Sequence, residues 1–111
     1  MEISIAKDFS QIPGARFPNE GDYSGQDFRT KVLLPALRNA ISNEDKLVVI
    51  LDGTAGLGTS FLEEAFGGLI REDRLDYELL TKTLEFISEE DPEYIEEIDE
   101  YMKEAYEQTL V

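Results

Sequence analysis

The chain has no histidine, no cysteine and no tryptophan among its 111 residues, and only 10 of those residues are basic. Without cysteine there is no disulfide, no thiolate metal ligand and no cysteine nucleophile. Without histidine the usual general base near neutral pH is missing, and so is the commonest zinc ligand. Catalysis would have to come from carboxylates, lysine, tyrosine or hydroxyls. The 10 bases face 25 acids, for a net charge of −15, which opposes binding by neutralisation of nucleic-acid phosphates and repels an anionic membrane. No apolar run approaches the ~20 residues of a membrane span, and no basic-apolar leader opens the chain. These observations lead us to expect a cytoplasmic protein that binds neither nucleic acid nor membrane and needs no cofactor.

The charge is uneven. Residues 1–59 hold 8 acids and 6 bases (−2), residues 60–87 hold 7 and 3 (−4), and residues 88–111 hold 10 and one (−9). A solvated helix face accounts for most of that excess. An acidic decoy that occupies the basic groove of a nucleic-acid-acting protein is the alternative.

At this length we expect one domain over 1–111, burying roughly two-thirds of its unfolded surface. Glu2-Ile-Ser-Ile-Ala6 alternates as a half-buried strand does. Ser10 to Gly21 carries turn signals, with a short extended piece at Ala15-Arg16-Phe17. Ser24-Gly-Gln-Asp27 has capping-box spacing. Behind it Phe28, Val32, Leu33, Ala36, Leu37 and Ile41 recur at helical spacing, with a kink or break expected at Pro35. Lys46 to Leu51 reads as a central strand buried on both faces.

A glycine-rich turn, Asp52 to Thr59, follows. Ser60-Phe-Leu-Glu63 then reads as a capping box opening a helix with an apolar stripe from Phe61 to Ile70. Gly67-Gly68 marks either a close approach to the sheet or the helix end. Asp76 to Leu80 suits one helical turn and Thr81 to Ile87 a strand. In the last helix Asp91 caps, Pro92 takes the first position, and Tyr94, Ile95, Ile98, Tyr101, Met102, Ala105 and Tyr106 form the apolar stripe. Alternating strands and helices predict an α/β fold, a mixed sheet of about four strands with helices packed on it.

The turn draws the most chemistry. Gly53-x-x-x-x-Gly58-Thr59-Ser60 has the glycine spacing of a phosphate-binding loop, but Thr59 stands where the lysine belongs, which argues against nucleotide hydrolysis. Gly56-x-Gly58 lacks the third glycine of a dinucleotide fingerprint. At the N-terminus of a helix, Thr59 and Ser60 could meet an anion, carry a phosphate or dock a partner. The plainer reading makes Ser60 an N-cap worth about 1 kcal/mol. Glu63 is its capping partner and Glu64 a first-turn acid, about 100° apart and not convergent. Asp52 lies where open α/β sheets place ligand groups. Arg16 and Arg29 are expected to pair with Asp22 or Asp52, or to grip an anion at the turn. A hydroxyl nucleophile at Thr59 or Ser60 would lack an evident base.

Leu51-Asp52 followed by Thr54-Ala-Gly-Leu-Gly58-Thr59-Ser60-Phe-Leu62 resembles the STAS domain of anti-sigma-factor antagonists. Tyr23-Ser24-Gly-Gln-Asp-Phe-Arg29, Leu51-Asp52-Gly53 and Thr59-Ser-Phe-Leu-Glu-Glu-Ala-Phe-Gly-Gly68 are similar to the STAS-like domain family of unknown function DUF4325. The resemblance implies a STAS-like fold and a non-catalytic, regulatory protein-binding module that docks through the glycine-rich turn and the helix after it. Its partner would be a histidine-kinase-like ATPase or kinase, and Thr59, with Ser60 beside it, would stand at the phosphorylated position. Gly58 and Phe61 depart from the antagonists' pattern, where an aspartate precedes the hydroxyl pair and a glycine follows it. We expect a monomer or weak homodimer. The candidate site is Asp52, Gly53, Gly56, Gly58, Thr59, Ser60 and Glu63, with Arg16, Ser24 and Arg29 beside it.

Overall fold

The computed structural model describes residues 1–110. Among them the sheet has three strands, all parallel, in the order β1 (Glu2–Ser4), β2 (Leu47–Ile50), β3 (Leu84–Ile87). Ile3 pairs with Val49, and Val49 with Phe86. The expected mixed sheet of about four strands is thus corrected to three parallel ones. Ala15 and Arg16 do not form another, because their carbonyls accept the N–H groups of Gly25 and Gln26 (2.8 and 3.0 Å) at the start of a helix. The expected strand at 81–87 begins only at Leu84, since Tyr77–Thr83 is helical, with Asp76 accepting the Leu79 N–H. The chain after Ser4 likewise turns directly into a short helix, Ile5–Asp8.

The pleat sorts the strands' side chains. Ile3, Leu47, Val49 and Leu84 are buried on the helix side. On the other side Glu2, Glu85 and Ile87 are exposed, and Val48 and Ile50 are half-buried. The strand expected to be covered on both faces is covered on one.

Two long helices form the layer against that face. The first runs over 25–42 and the second over 59–71, and each contains a five-residue π-helical turn, Arg29–Leu33 and Glu63–Gly67. The first explains why Pro35 does not break its helix. The Leu34 N–H donates to Arg29, five residues back. That extra residue takes up the space the proline ring needs, and Pro35 has no N–H to leave unpaired. The helices cross closely at Gly25, where a Cβ would lie 2.6 Å from the Phe61 carbonyl oxygen. Phe28 stacks on Phe61 (5.7 Å) and meets the edge of Phe66, which in turn meets Phe86 of β3. The last helix, Glu93–Gln108, buries Ile98, Met102 and Ala105 against the second long helix.

Candidate functional site

The segments that follow the three strands meet at the sheet's C-terminal rim, where open α/β sheets place their ligands. The strand order does not reverse, so no switch-point crevice opens there. Most of the glycine-rich turn is tied down. Asp52 accepts the N–H groups of Glu89 (3.0 Å) and Glu90 (2.8 Å), bracing the turn after β2 against the one after β3. Gly53, at φ +92°, donates to Glu90 Oε1 (2.8 Å). Ala55 donates to the Gln11 carbonyl (2.7 Å) and Leu57 to the Tyr94 hydroxyl (3.1 Å). The amides of Gly53, Ala55 and Leu57 are thus already engaged within the fold.

The helix begins at Thr59, not after Ser60. Gly58 is the N-cap and supplies no side chain, and Leu62 donates back to the Gly58 carbonyl. Ser60 is consequently not a cap, and the expected capping box with Glu63 does not form. Gly58, Thr59 and Ser60 are exposed, while everything from Phe61 to Ile70 is buried apart from half-buried Glu63. The second long helix offers only its first residues to a partner.

Glu63 is drawn elsewhere. Its carboxylate bonds Arg16 and takes a two-pronged contact from Arg71 (2.6 and 3.2 Å). Burial raises its pKa, but the hydrogen bonds and charges of Arg71 and Arg16 outweigh this and hold it below the ordinary glutamate value. Glu64, 3% exposed, bonds Arg29 and lies within 3.6 Å of Arg16 and 3.4 Å of Arg71. The two glutamates thus converge on shared guanidiniums, contrary to their expected separation on an ideal helix. Arg29, 5% exposed, also donates to the Glu64 carbonyl (3.0 Å). Its Nε sits 3.1 Å from Asp73 Oδ2, an ion pair whose geometry is too poor for a hydrogen bond. Burial, only partly countered by the Arg29 charge, pushes the Asp73 carboxyl up.

Neither Arg16 nor Arg29 pairs with Asp22 or Asp52; both join this buried cluster. Gly68 makes room for it, since a Cβ there would overlap Arg29 Nη1, and a Cβ on Gly67 would press on Glu63 Oε2. The glycine pair serves neither a sheet contact nor a helix end, and the helix continues to Arg71. Ser24 does cap, accepting the Asp27 N–H at 3.1 Å. Arg71 and Asp73 belong to the cluster although the sequence motifs do not single them out. Arg71 stands seven and eight residues after the glutamates it binds, two helical turns on, and that spacing was a usable signal.

Exposed Glu93, Glu96, Glu100, Glu104 and Glu107 recur every three or four residues, which makes a single row on the last helix. Among the described residues no group of acids is placed to hold a metal ion, and no helix is long and apolar enough to cross a membrane.

A family model described as a STAS-like domain of unknown function (DUF4325) matches residues 24–94, well over half the chain, from the Ser24 cap through the arginine cluster to Tyr94. Among curated proteins and among solved structures nothing matches.

Proposed function

We infer the role from one premise: the chain belongs to the STAS-like domain family DUF4325. We propose that it is a non-catalytic regulatory module that docks a partner protein through Gly58, Thr59 and Ser60, with exposed Gly53, Ala55 and Gly56 alongside. The observation that carries this reading is the exposed, uncapped start of an otherwise buried helix. Two hydroxyls sit there beside backbone N–H groups that have no intrahelical partner.

The partner is an ATPase-type kinase. It moves the γ-phosphoryl group of ATP to the hydroxyl oxygen of Thr59 or Ser60, releasing ADP and the hydroxyl proton. The new dianion gains from the helix N-terminus. Repulsion from Glu63 and Glu64 is muted, because arginines already hold both carboxylates.

The test captures partners from the source cell on the wild-type chain and on a T59E/S60E variant, with and without ATP, and maps phosphate on the recovered bait. A partner retained at least tenfold better by the wild type, with phosphate at Thr59 or Ser60 after ATP, is the expected result. Equal retention by both baits, or no retained partner, overturns it.

A further inference from the structure

The sheet stops at β3, and nothing among the described strands pairs with its outer side. The Leu51 N–H donates to the Ile87 carbonyl at 2.8 Å, so Ile87 and Glu85 turn their backbone groups toward β2. Alternation along a parallel strand then aims the Phe86 N–H and C=O, and the Leu84 C=O, at the free edge. The strand carries none of the usual guards against pairing, such as proline, a bulge or lysine; shortness and Glu85 are its only defences.

Beside that edge lies a groove of about 320 Å³ between β3, helix Tyr77–Thr83 and the last helix. Leu80, Leu84, Phe86, Ile95 and Met102 form its apolar lining, and Glu96 and Asp99 stand at its margin. A strand added to β3 would lie about 4.8 Å beyond it and send every second side chain to the helix side of the sheet, over this groove.

We propose that this edge and groove take an extended segment of a partner protein in which apolar residues alternate with lysine or arginine. The apolar side chains fill the groove. The cations, on the opposite face of the added strand, sit in the negative field of this end of the chain, although Glu85 on that face is already paired with Lys46 at 3.0 Å. Residues 76–111 carry 13 acids against two bases, a net of −11 of the chain's −15. One of those bases, Lys103, is already paired with Asp99 at 3.2 Å. A second copy would bring the same negative field to the edge, so charge selects a basic occupant. This surface does not include the Gly58–Ser60 rim, and the two proposals fail independently.

The experiment titrates the full chain with a fluorescent eight-residue peptide of alternating valine and lysine. The controls are a block peptide of four valines then four lysines, and an alternating valine–glutamate peptide. The expected result is saturable binding of the first at least tenfold tighter than of either control. Amide hydrogen exchange at Phe86 should slow at least tenfold on binding. Glu96→Lys, at an exposed position where folding is not at stake, should weaken binding severalfold, and Ser60→Arg should leave it within twofold. Equal binding of the block peptide would reduce the effect to bulk charge and overturn the proposal. So would unchanged exchange at Phe86, or sedimentation of the free chain as a dimer with Phe86 already protected.

Discussion

Ser24-Gly-Gln-Asp27 and Ser60-Phe-Leu-Glu63 have the same spacing of hydroxyl and acid at the start of a long helix. At the first, the serine is fully buried and its hydroxyl accepts the Asp27 N–H. Asp27 itself leans 3.5 Å from Lys31, one turn on. At the second, Glu63 is held by Arg16 and Arg71, the helix starts one residue before the serine, and Ser60 faces solvent. A charge-assisted hydrogen bond is worth ~1.5–3 kcal/mol and a cap ~1. Once two guanidiniums stand within reach, the carboxylate is better placed with them than folded back on its own helix end. The pairing that stabilises the interior is what leaves Thr59 and Ser60 available at the rim.

The two helices are joined through Arg29, which stands on the first and reaches Glu64 on the second. Removing it should have the largest effect. Arg29→Ala leaves buried Glu64 with only its longer contacts to Arg16 and Arg71, and leaves Asp73 without its partner in a partly buried place, so unfolding in urea should show a loss of about 2–4 kcal/mol. A loss under about 1 kcal/mol would mean that the contact does not join the helices.

Gly68→Ala comes next, and here two physical arguments give opposite signs. Helix propensity alone favours alanine by about 1 kcal/mol in a helix interior. The added methyl, however, would overlap the Arg29 guanidinium, whose Cζ lies 3.0 Å from the Cβ position. Displacing a buried, ion-paired side chain should dominate, for a net loss of about 1–3 kcal/mol. In an Arg29→Ala background the overlap disappears and the same substitution should become neutral or stabilising. That reversal in a double-mutant cycle is the sharper measurement.

How far these features were legible depended on how local their causes are. The last helix, the strand at 47–50, the turn after it and the Ser24 cap are written in spacings of two to four residues, and the structure contains them. Pro35 is local too, but the π-helical turn that accommodates it sends the Leu34 N–H to the Arg29 carbonyl, five residues back, a spacing that a helical stripe of apolar residues does not announce. The arginine cluster is not local. Arg29 and Glu64 are 35 positions apart, and the sequence offers Arg29 only Asp22, Asp52 or an anion at the turn as partners until the second helix supplies its acid. Gly67-Gly68 announces a tight approach, but the spacing points to the sheet or to a helix end, whereas the groups that approach are Arg29 and Glu63. The β3 edge was hidden for a similar reason. A run of alternating residues shows that a strand exists, and only the assembled sheet shows that it ends there.

The smallest effects belong to the serines themselves. Ser24→Ala should cost about 1–2 kcal/mol, the upper part of the range for a cap, because the Asp27 N–H it satisfies lies beside a fully buried residue. Ser60→Ala should change stability by no more than about 0.5 kcal/mol, as a surface substitution that removes no hydrogen bond of the fold. Thermal melts of the two variants, run side by side with the wild type, compare identical chemical changes in matching local sequences. If Ser60→Ala instead matched Ser24→Ala, the hydroxyl would be holding the helix start after all, and a phosphoryl group added there would unfold the rim rather than mark it. If it stays near zero, Ser60 is free of structural duty, and any loss of partner retention it causes reports on docking alone.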